Sequence, residues 1–157
     1  MAKQNRKLAT ILAMDVAGYS AKMSKDEAAT VSQLRFCQDI IETSAKDNGG
    51  RIFNTAGDAF MVEFNTTIQA VETAIRIQKK IADHNEDVPL EQRLEFRMGV
   101  NMGDVTIDGE NLLGDGVNIA ARLEGIAPPA GICLSEAVHS TVKGKVQCSF
   151  IDKGIKN

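Results

Sequence analysis

Two side chains suited to phosphate chemistry, Asn118 and Arg122, stand four residues apart just after the glycine-rich stretch Gly114-Asp115-Gly116. At that spacing both side chains leave one face of a helix, one turn apart. Arginine is a permanent cation with a forked set of donors, and an asparagine amide can donate or accept beside it. The pair therefore suits a phosphate-rich transition state, although it also fits an ordinary exposed helix surface.

Two aspartates, each beside an apolar run, suggest a metal site. Asp15 follows Ala13-Met14, and Asp58 lies in Asn54-Thr55-Ala56-Gly57-Asp58-Ala59-Phe60. Two ionised carboxylates close together repel each other unless a cation lies between them. Oxygen ligands of this kind suit Mg²⁺ or Mn²⁺, and the sequence has no cluster of His or Cys for a softer metal. The alternatives are a helix-capping role for Asp15 and a turn role for Asp58.

Hydrophobic periodicity predicts the elements that carry these residues, and their order is typical of an α+β domain with helices packed on a mainly antiparallel sheet. The predicted strands are 8–14, 51–53, 59–64, 94–101 with a further short apolar stretch to 107, and 132–134. The predicted helices are 26–46, 66–85, 117–126 and 136–142, the last with Ser135 as its cap. Asp15 then ends a buried central strand, and Asp58 lies at or near a hairpin tip.

Composition limits the other possibilities. The chain has 157 residues, within the usual size of one domain, which we expect to span 1–157. A net charge of -3 with scattered basic residues makes nucleic acid an unexpected partner. No apolar run approaches the ~18 residues that a membrane span requires. The three widely spaced cysteines indicate reduced thiols rather than disulfides or zinc, so we expect a cytoplasmic protein.

Together, the segments around Asp15, Asp58 and Asn118-Arg122 resemble the catalytic domain of the class III adenylate and guanylate cyclases, from about Leu8 to Gly154. The resemblance implies a ferredoxin-like, palm-type fold. It also implies that Asp15, Asp58 and the backbone carbonyl of Val16 hold two divalent ions, Mg²⁺ or Mn²⁺. The residues implied to touch the phosphates are Gly18, Tyr19 and Ser20.

The same resemblance implies an activity and a partner. A nucleoside triphosphate, with ATP the expected substrate and GTP the alternative, would become a 3′,5′-cyclic nucleotide and pyrophosphate for intracellular signalling. Asn118 would orient the ribose, and Arg122 would act on the α-phosphate. In this family the aspartates and the Asn/Arg pair of one site come from different chains, so a homodimer is the expected active form and a monomer should be inactive.

Two positions depart from the family pattern. The implied base-binding positions hold Asn54 and Asn111, where adenylate-forming members carry Lys and an acidic residue, and guanylate-forming members usually carry Glu and Cys. A catalytically silent dimerisation or nucleotide-sensing module is therefore the alternative function. Diguanylate cyclases rank third, because the acidic residue and first glycine of their signature are missing here.

Two further expectations concern the chain end and three arginines. Phe150 to Gly154 resembles the start of the family's closing strand, which would then be truncated at Asn157, and a regulatory domain could follow it. Arg76, Arg93 and Arg97 fall in helical or strand patterns, and solvated faces are the better interpretation of all three.

Overall fold

One twisted sheet organises the protein. The computed structural model describes residues 5–146, so the predicted closing strand lies outside the described residues. Within them, six strands form one sheet in the order β2-β3-β1-β4-β5, with β6 beside β4. The strands are β1 (Asn5–Val16), β2 (Arg51–Ala56), β3 (Ala59–Phe64), β4 (Phe96–Asp108), β5 (Asn111–Leu113) and β6 (Ile132–Leu134). The helices are α1 (Tyr19–Lys25), α2 (Glu27–Asp47), α3 (Thr67–Asn85), α4 (Asp115–Ile126) and α5 (Glu136–Val142).

The element order confirms the predicted α+β class. β1 pairs antiparallel with both β3 and β4, and β3 pairs antiparallel with β2. Strand β3 thus lies between β1 and β2, which is the βαββαβ arrangement of a ferredoxin-like fold. Only β6 runs parallel to its neighbour among the described pairings. No helix within residues 5–146 is both long enough and apolar enough to cross a membrane.

Both faces of β1 are covered, as its continuous apolar run predicts. Leu12 and Met14 belong to a core cluster that includes residues of α2, α3 and α5. Ile11 and Ala13 point to the other face and join a second cluster with Val117 and Ala120 of α4. Helix α4 therefore packs on the sheet face opposite the other long helices, an arrangement that helix periodicity alone does not reveal.

Strand pairing overrides the predicted break in β4. The sequence suggests two segments separated at Gly103-Asp104, but β4 is continuous and pairs with β1 from Val16↔Phe96 to Asn5↔Ile107. Gly103 and Asp104 pair with Ala9 and Leu8 of β1, and this pairing keeps them in the strand although both residue types have low strand propensity. Helix α1 is a further difference, because the predicted helix begins only at Asp26, which caps α2 through the Ala29 amide.

Gly99 of β4 allows α4 to lie close to the sheet. A Cβ atom at this position would clash with the carbonyl oxygen of Ala120 and the amide nitrogen of Glu124. Both are backbone atoms of α4, so neither can rotate away as a flexible side chain would. The absence of a side chain at position 99 therefore sets how closely the helix that carries Asn118 and Arg122 approaches the sheet.

We expect Gly99→Ala to destabilise the protein by about 1–3 kcal/mol, because strand and helix must separate to admit one methyl group. Urea unfolding measures the change. Gly125→Ala is the matched control, since a Cβ at Gly125 meets no atom within 4 Å, and should be neutral or stabilise the helix by up to about 1 kcal/mol. Equal stability of the two variants would contradict a close approach at Gly99.

Candidate functional site

The structure brings Asp15 and Asp58 together at the carboxyl end of β1. Met14 pairs with Phe60, which places the turn between β2 and β3 beside the end of β1. Gly57 adopts a φ of 61° in this turn, a conformation that favours glycine. The Val16 amide then donates to Asp58 Oδ2 at 2.9 Å. Asp58 is thus fixed against the residue that follows Asp15.

Asp15 makes a two-point ion pair with Arg97. Arg97 lies directly opposite Asp15 in the β1–β4 pairing. Its Nε donates to Asp15 Oδ1 at 3.1 Å, and its Nη2 donates to Oδ2 at 3.0 Å. The interpretation of Arg97 as part of a solvated face is therefore wrong. The helix-cap alternative for Asp15 is also wrong, because Gly18 is the N-cap of α1 and no side chain caps that helix.

Glu124 of α4 is a third carboxyl group in this cluster. Its Oε2 lies 3.7 Å from Arg97 Nη2, and its side chain is only 12% exposed. Burial raises the pKa of Glu124 to about 8, and the carboxylates of Asp15 and Asp58 act in the same direction, against Arg97. One guanidinium cannot neutralise three carboxylates, so the most buried carboxyl retains a proton. Sequence reasoning missed Glu124, whose only signal is its place two residues after Arg122.

The oxygen donors at Asp15 and Asp58 fit a hard divalent cation. Mg²⁺ is commonly held by one or two carboxylates together with waters and substrate phosphates. No group of three or more His, Cys, Asp or Glu side chains in residues 5–146 is arranged to hold a metal. Metal binding by Asp15, Asp58 and the Val16 carbonyl stays a prediction, and in this structure the guanidinium of Arg97 supplies the positive charge beside Asp15.

The predicted phosphate-binding residues follow Asp15 closely along the chain. β1 ends at Val16, and α1 begins at Tyr19 after Gly18, whose φ is 66°. Tyr19 is half-buried against the main core, whereas Ser20 is exposed. Phosphate binding at these residues stays a prediction.

Asn118 and Arg122 are exposed on α4, one turn apart as predicted. Within the part of the chain that the structure describes, neither side chain makes a hydrogen bond or ion pair, and the Asn118 backbone amide donates to the Gly114 carbonyl as part of the helix. Arg122 and Glu124 are two residues apart, so their side chains leave the helix at about 200° to each other. Because Glu124 reaches the Asp15 cluster of its own chain, Arg122 points away from that cluster.

The base-binding candidates Asn54 and Asn111 lie on β2 and β5, the two outer strands of the sheet order, and Arg51 forms a contact between these two strands. Asn54 is exposed at a bulge in β2, and Asn111 begins β5, where its Oδ1 accepts from the Leu112 amide at 2.9 Å. Arg51 Nη1 donates to the Glu110 carbonyl at 2.6 Å. This contact joins the start of β2 to the turn before β5, and no local sequence pattern indicates it.

In the metal-free protein we expect stability to fall as pH rises from about 5 to about 8. An unfolded Glu124 loses its proton near 4.5, whereas the folded protein keeps it until about 8, so the unfolded state binds fewer protons in this window and gains from rising pH. Glu124→Gln removes this contribution and should flatten the decline. Urea unfolding in EDTA at several pH values measures it, and identical slopes for both proteins would contradict the prediction.

Comparison with known proteins identifies the family of this chain. The sequence matches the family described as "Adenylate and Guanylate cyclase catalytic domain" over residues 1–156. It is 40% identical over 157 residues to "Putative adenylate cyclase 3" of Rhizobium meliloti (strain 1021), covering 98% of this chain and 27% of that protein. The chain thus spans about a quarter of that relative's length.

Solved structures give the same family. The adenylate/guanylate cyclase/hydrolase from Silicibacter pomeroyi superposes with a TM-score of 0.92 at 35% identity, covering 99% of this chain and 91% of that one. The guanylate cyclase domain of RhGC from Catenaria anguillulae, in complex with GTP, gives a TM-score of 0.72 at 26% identity, covering 92% and 86%. The chain therefore belongs to the family of adenylate and guanylate cyclase catalytic domains.

Proposed function

We propose that this chain is an active nucleotide cyclase that converts a nucleoside triphosphate, with ATP the first candidate, to the 3′,5′-cyclic nucleotide and pyrophosphate. The active form is a homodimer with two composite sites. The observation that carries this proposal is the division of α4 into two faces, one with Glu124 at the aspartate cluster and the other with Asn118 and Arg122 exposed.

The direction of Arg122 requires a second chain. Glu124 faces the aspartate cluster, and Arg122 leaves α4 about 200° around the helix from it, so a phosphate held at Asp15 and Asp58 would lie beyond the reach of Arg122 of the same chain. The exposed amide and guanidinium therefore serve the aspartates of another copy. Two-fold symmetry then gives two sites, each with aspartates from one chain and the Asn/Arg pair from its partner.

The residues have distinct roles in the reaction. Asp15, Asp58 and the Val16 carbonyl hold two Mg²⁺ or Mn²⁺ ions, which supply activation of the ribose 3′ hydroxyl and charge neutralisation of the triphosphate. Gly18, Tyr19 and Ser20 position the phosphates. As the 3′ oxygen bonds to the α-phosphorus, the bond to the bridging oxygen breaks, pyrophosphate leaves and the hydroxyl proton passes to solvent.

The partner's side chains act at the reacting atoms. Asn118 orients the ribose through its amide. Arg122 places a fixed positive charge at the α-phosphate, where negative charge increases in the transition state, and losing such a donor commonly costs about 10²–10³ in rate. Both groups make no competing contact within residues 5–146 and are already aligned one turn apart on a helix.

The base is read by neutral amides. Asn54 and Asn111 can each donate and accept, but they lack the charge that would strengthen bonds to one purine edge. Asn111 Oδ1 already accepts from Leu112, which leaves its NH₂ group for the base. We infer weak discrimination between ATP and GTP. Cellular nucleotides as substrates and a diffusible product fit a cytoplasmic role in signalling, with any regulatory domain outside this chain.

Mixing two inactive variants tests the composite site. Asp58→Asn should lose metal, and Arg122→Ala should lose transition-state stabilisation, each reducing activity by about 10²-fold or more. An equal mixture forms mixed dimers in half of cases, and each contains one intact site, so about a quarter of wild-type activity should return. Cyclic nucleotide and pyrophosphate are measured with Mn²⁺ and ATP or GTP.

The double variant Asp58→Asn/Arg122→Ala, mixed with unmodified chain, is the control. Its mixed dimers place both changes on one chain, which disables both sites, so at equal amounts only the quarter of dimers made of two unmodified chains should be active. If the mixture of single variants forms no more cyclic nucleotide than each variant alone, the composite site is contradicted. A well-folded wild-type dimer that binds nucleotide without turnover would favour the sensing alternative.

Introducing charged side chains at the base-binding positions should create a preference for ATP over GTP. We expect Asn54→Lys combined with Asn111→Asp to raise kcat/KM for ATP relative to GTP by about 10-fold or more, because charged groups form the stronger hydrogen bonds to a base edge. The single Asn54→Lys change should give a smaller effect. An unchanged ratio would show that these residues do not contact the base.

A further inference from the structure

We propose that Arg51 is a positioning residue for nucleotide recognition, which holds the strand that carries Asn54 at a fixed distance from Asn111. The contact that carries this inference is a hydrogen bond from Arg51 to the Glu110 carbonyl, which connects β2 to the turn that leads into β5. The inference rests on the base-binding role of Asn54 and Asn111 proposed above. Arg51 acts on these two residues, and it does not contact the base.

The Arg51–Glu110 contact spans strands that the sheet order separates. β2 and β5 stand at opposite ends of the order β2-β3-β1-β4-β5. Neighbouring strands lie about 4.8 Å apart, so a flat sheet would place β2 and β5 roughly 19 Å from each other. The Nη1 atom of Arg51 nevertheless lies 2.6 Å from the Glu110 carbonyl oxygen. The sheet therefore curls at this corner, and the guanidinium bridges the remaining gap between its two ends.

Glu63 of β3 fixes the direction of the Arg51 side chain. Its Oε1 atom accepts from Arg51 Nε at 3.2 Å and from Nη2 at 2.9 Å, and its Oε2 atom forms an ion pair with Lys7 of β1. Burial alone would raise the pKa of Glu63, but hydrogen bonds from Lys7 and Arg51 lower that pKa below its ordinary value, so the carboxylate stays ionised. Nε and Nη2 are thus committed to Glu63, and Nη1 donates to the Glu110 carbonyl.

A bulge in β2 sets the direction of Asn54, and Arg51 contacts that bulge. The register of β2 against β3 shifts between Ile52 and Asn54, so Phe53 is the extra residue. Asn54 therefore pairs with Met61, which packs on the sheet face that α4 covers. The guanidinium carbon of Arg51 lies 6.0 Å from the centre of the Phe53 ring, within the range of a cation–π interaction. Arg51 thus stabilises the local backbone that aims Asn54.

The Glu110 carbonyl belongs to the peptide group that leads into Asn111. A peptide group is planar, so holding the carbonyl oxygen also fixes the direction of the Asn111 backbone N–H. Asn111 pairs with Asp108 across a two-residue turn, in which Gly109 adopts a φ of 61°. One guanidinium therefore sets the spacing between β2 and this turn, and with it the spacing of two amides that bind the same purine.

Calorimetric binding of two probes in Mn²⁺ tests the inference. 3′-Deoxy-ATP carries the base but cannot cyclise, whereas tripolyphosphate presents only the phosphates. Arg51→Gln should raise the Kd for 3′-deoxy-ATP by about 3- to 10-fold, the range expected for the loss of one neutral hydrogen bond to the base. It should leave the Kd for tripolyphosphate unchanged, because Arg51 contacts Glu63 and Glu110, which are not among the proposed metal and phosphate residues. An equal rise in both Kd values, or no change in either, would overturn the inference.

Kinetics and a matched variant give a second readout. With ATP, Arg51→Gln should raise KM by a similar factor and leave kcat within about 2-fold, the pattern expected when ground state and transition state lose the same binding. The Arg51 side chain is 46% exposed, and exposed ion pairs contribute little to folding stability, so Tm should change little. Arg76→Gln removes an equal charge from the exposed surface of α3 and should leave both Kd values unchanged.

The variant Asn54→Ala/Asn111→Ala tests whether Arg51 acts through the two amides. It should itself weaken binding of 3′-deoxy-ATP. If Arg51 acts only by positioning these residues, adding Arg51→Gln to this variant should change the Kd little further. Additive effects of the three changes would show that Arg51 acts elsewhere and would overturn the positioning role.

Further outcomes separate this inference from the proposed function. If Arg51→Gln does not fold, Arg51→Lys keeps the charge but cannot donate to Glu63 and Glu110 together, and should raise the Kd for 3′-deoxy-ATP by a smaller factor. An unchanged Kd in a folded Arg51→Lys protein would overturn this inference alone. Wild-type protein that binds neither probe, or full affinity in Asn54→Ala/Asn111→Ala, would instead overturn the proposed nucleotide site on which the inference rests.

Discussion

Three carboxyl groups share one guanidinium at the carboxyl end of β1, and the rest of the site is arranged around that imbalance. Asp15 comes from β1, Asp58 from the β2–β3 turn, Glu124 from α4 and Arg97 from β4. Four elements thus converge on a point with excess negative charge, which only a proton or a further cation can relieve. A protein that binds a divalent cation with a polyphosphate benefits from such a point, because metal and substrate together complete the charge balance.

The close contact between α4 and the sheet determines which side chains of α4 reach the carboxyl cluster. Because Gly99 lets the helix backbone lie against β4, Glu124 reaches the cluster while Asn118 and Arg122 remain exposed on the far side. One helix therefore contributes to the aspartate cluster of its own chain and presents an unused Asn/Arg pair outward. Helix geometry, rather than flexibility, explains why the Asn/Arg pair lies away from the aspartates of its own chain.

The sequence predicts the strands and helices that hold the site residues better than it predicts the contacts between those residues. The continuous apolar run before Asp15 and the hairpin around Asp58 are local signals, and both positions follow from them. The i, i+4 spacing of Asn118 and Arg122 likewise survives in α4. Arg97 has no local signal, and Glu124 has only its place two residues after Arg122. Their contacts depend on the register between β1 and β4 and on the face of the sheet that α4 covers. Continuous pairing with β1 also explains why β4 passes through the predicted break.

A crystal structure with Mn²⁺ and 3′-deoxy-ATP, which binds but cannot cyclise, tests the central claim most directly. Anomalous scattering locates each metal ion. We expect Mn²⁺ peaks between Asp15 and Asp58, and a two-fold dimer in which Asn118 and Arg122 of the other copy reach the ribose and α-phosphate. Nucleotide bound without metal at the aspartates, or with the Asn/Arg pair of both copies directed to solvent, would contradict the composite metal site.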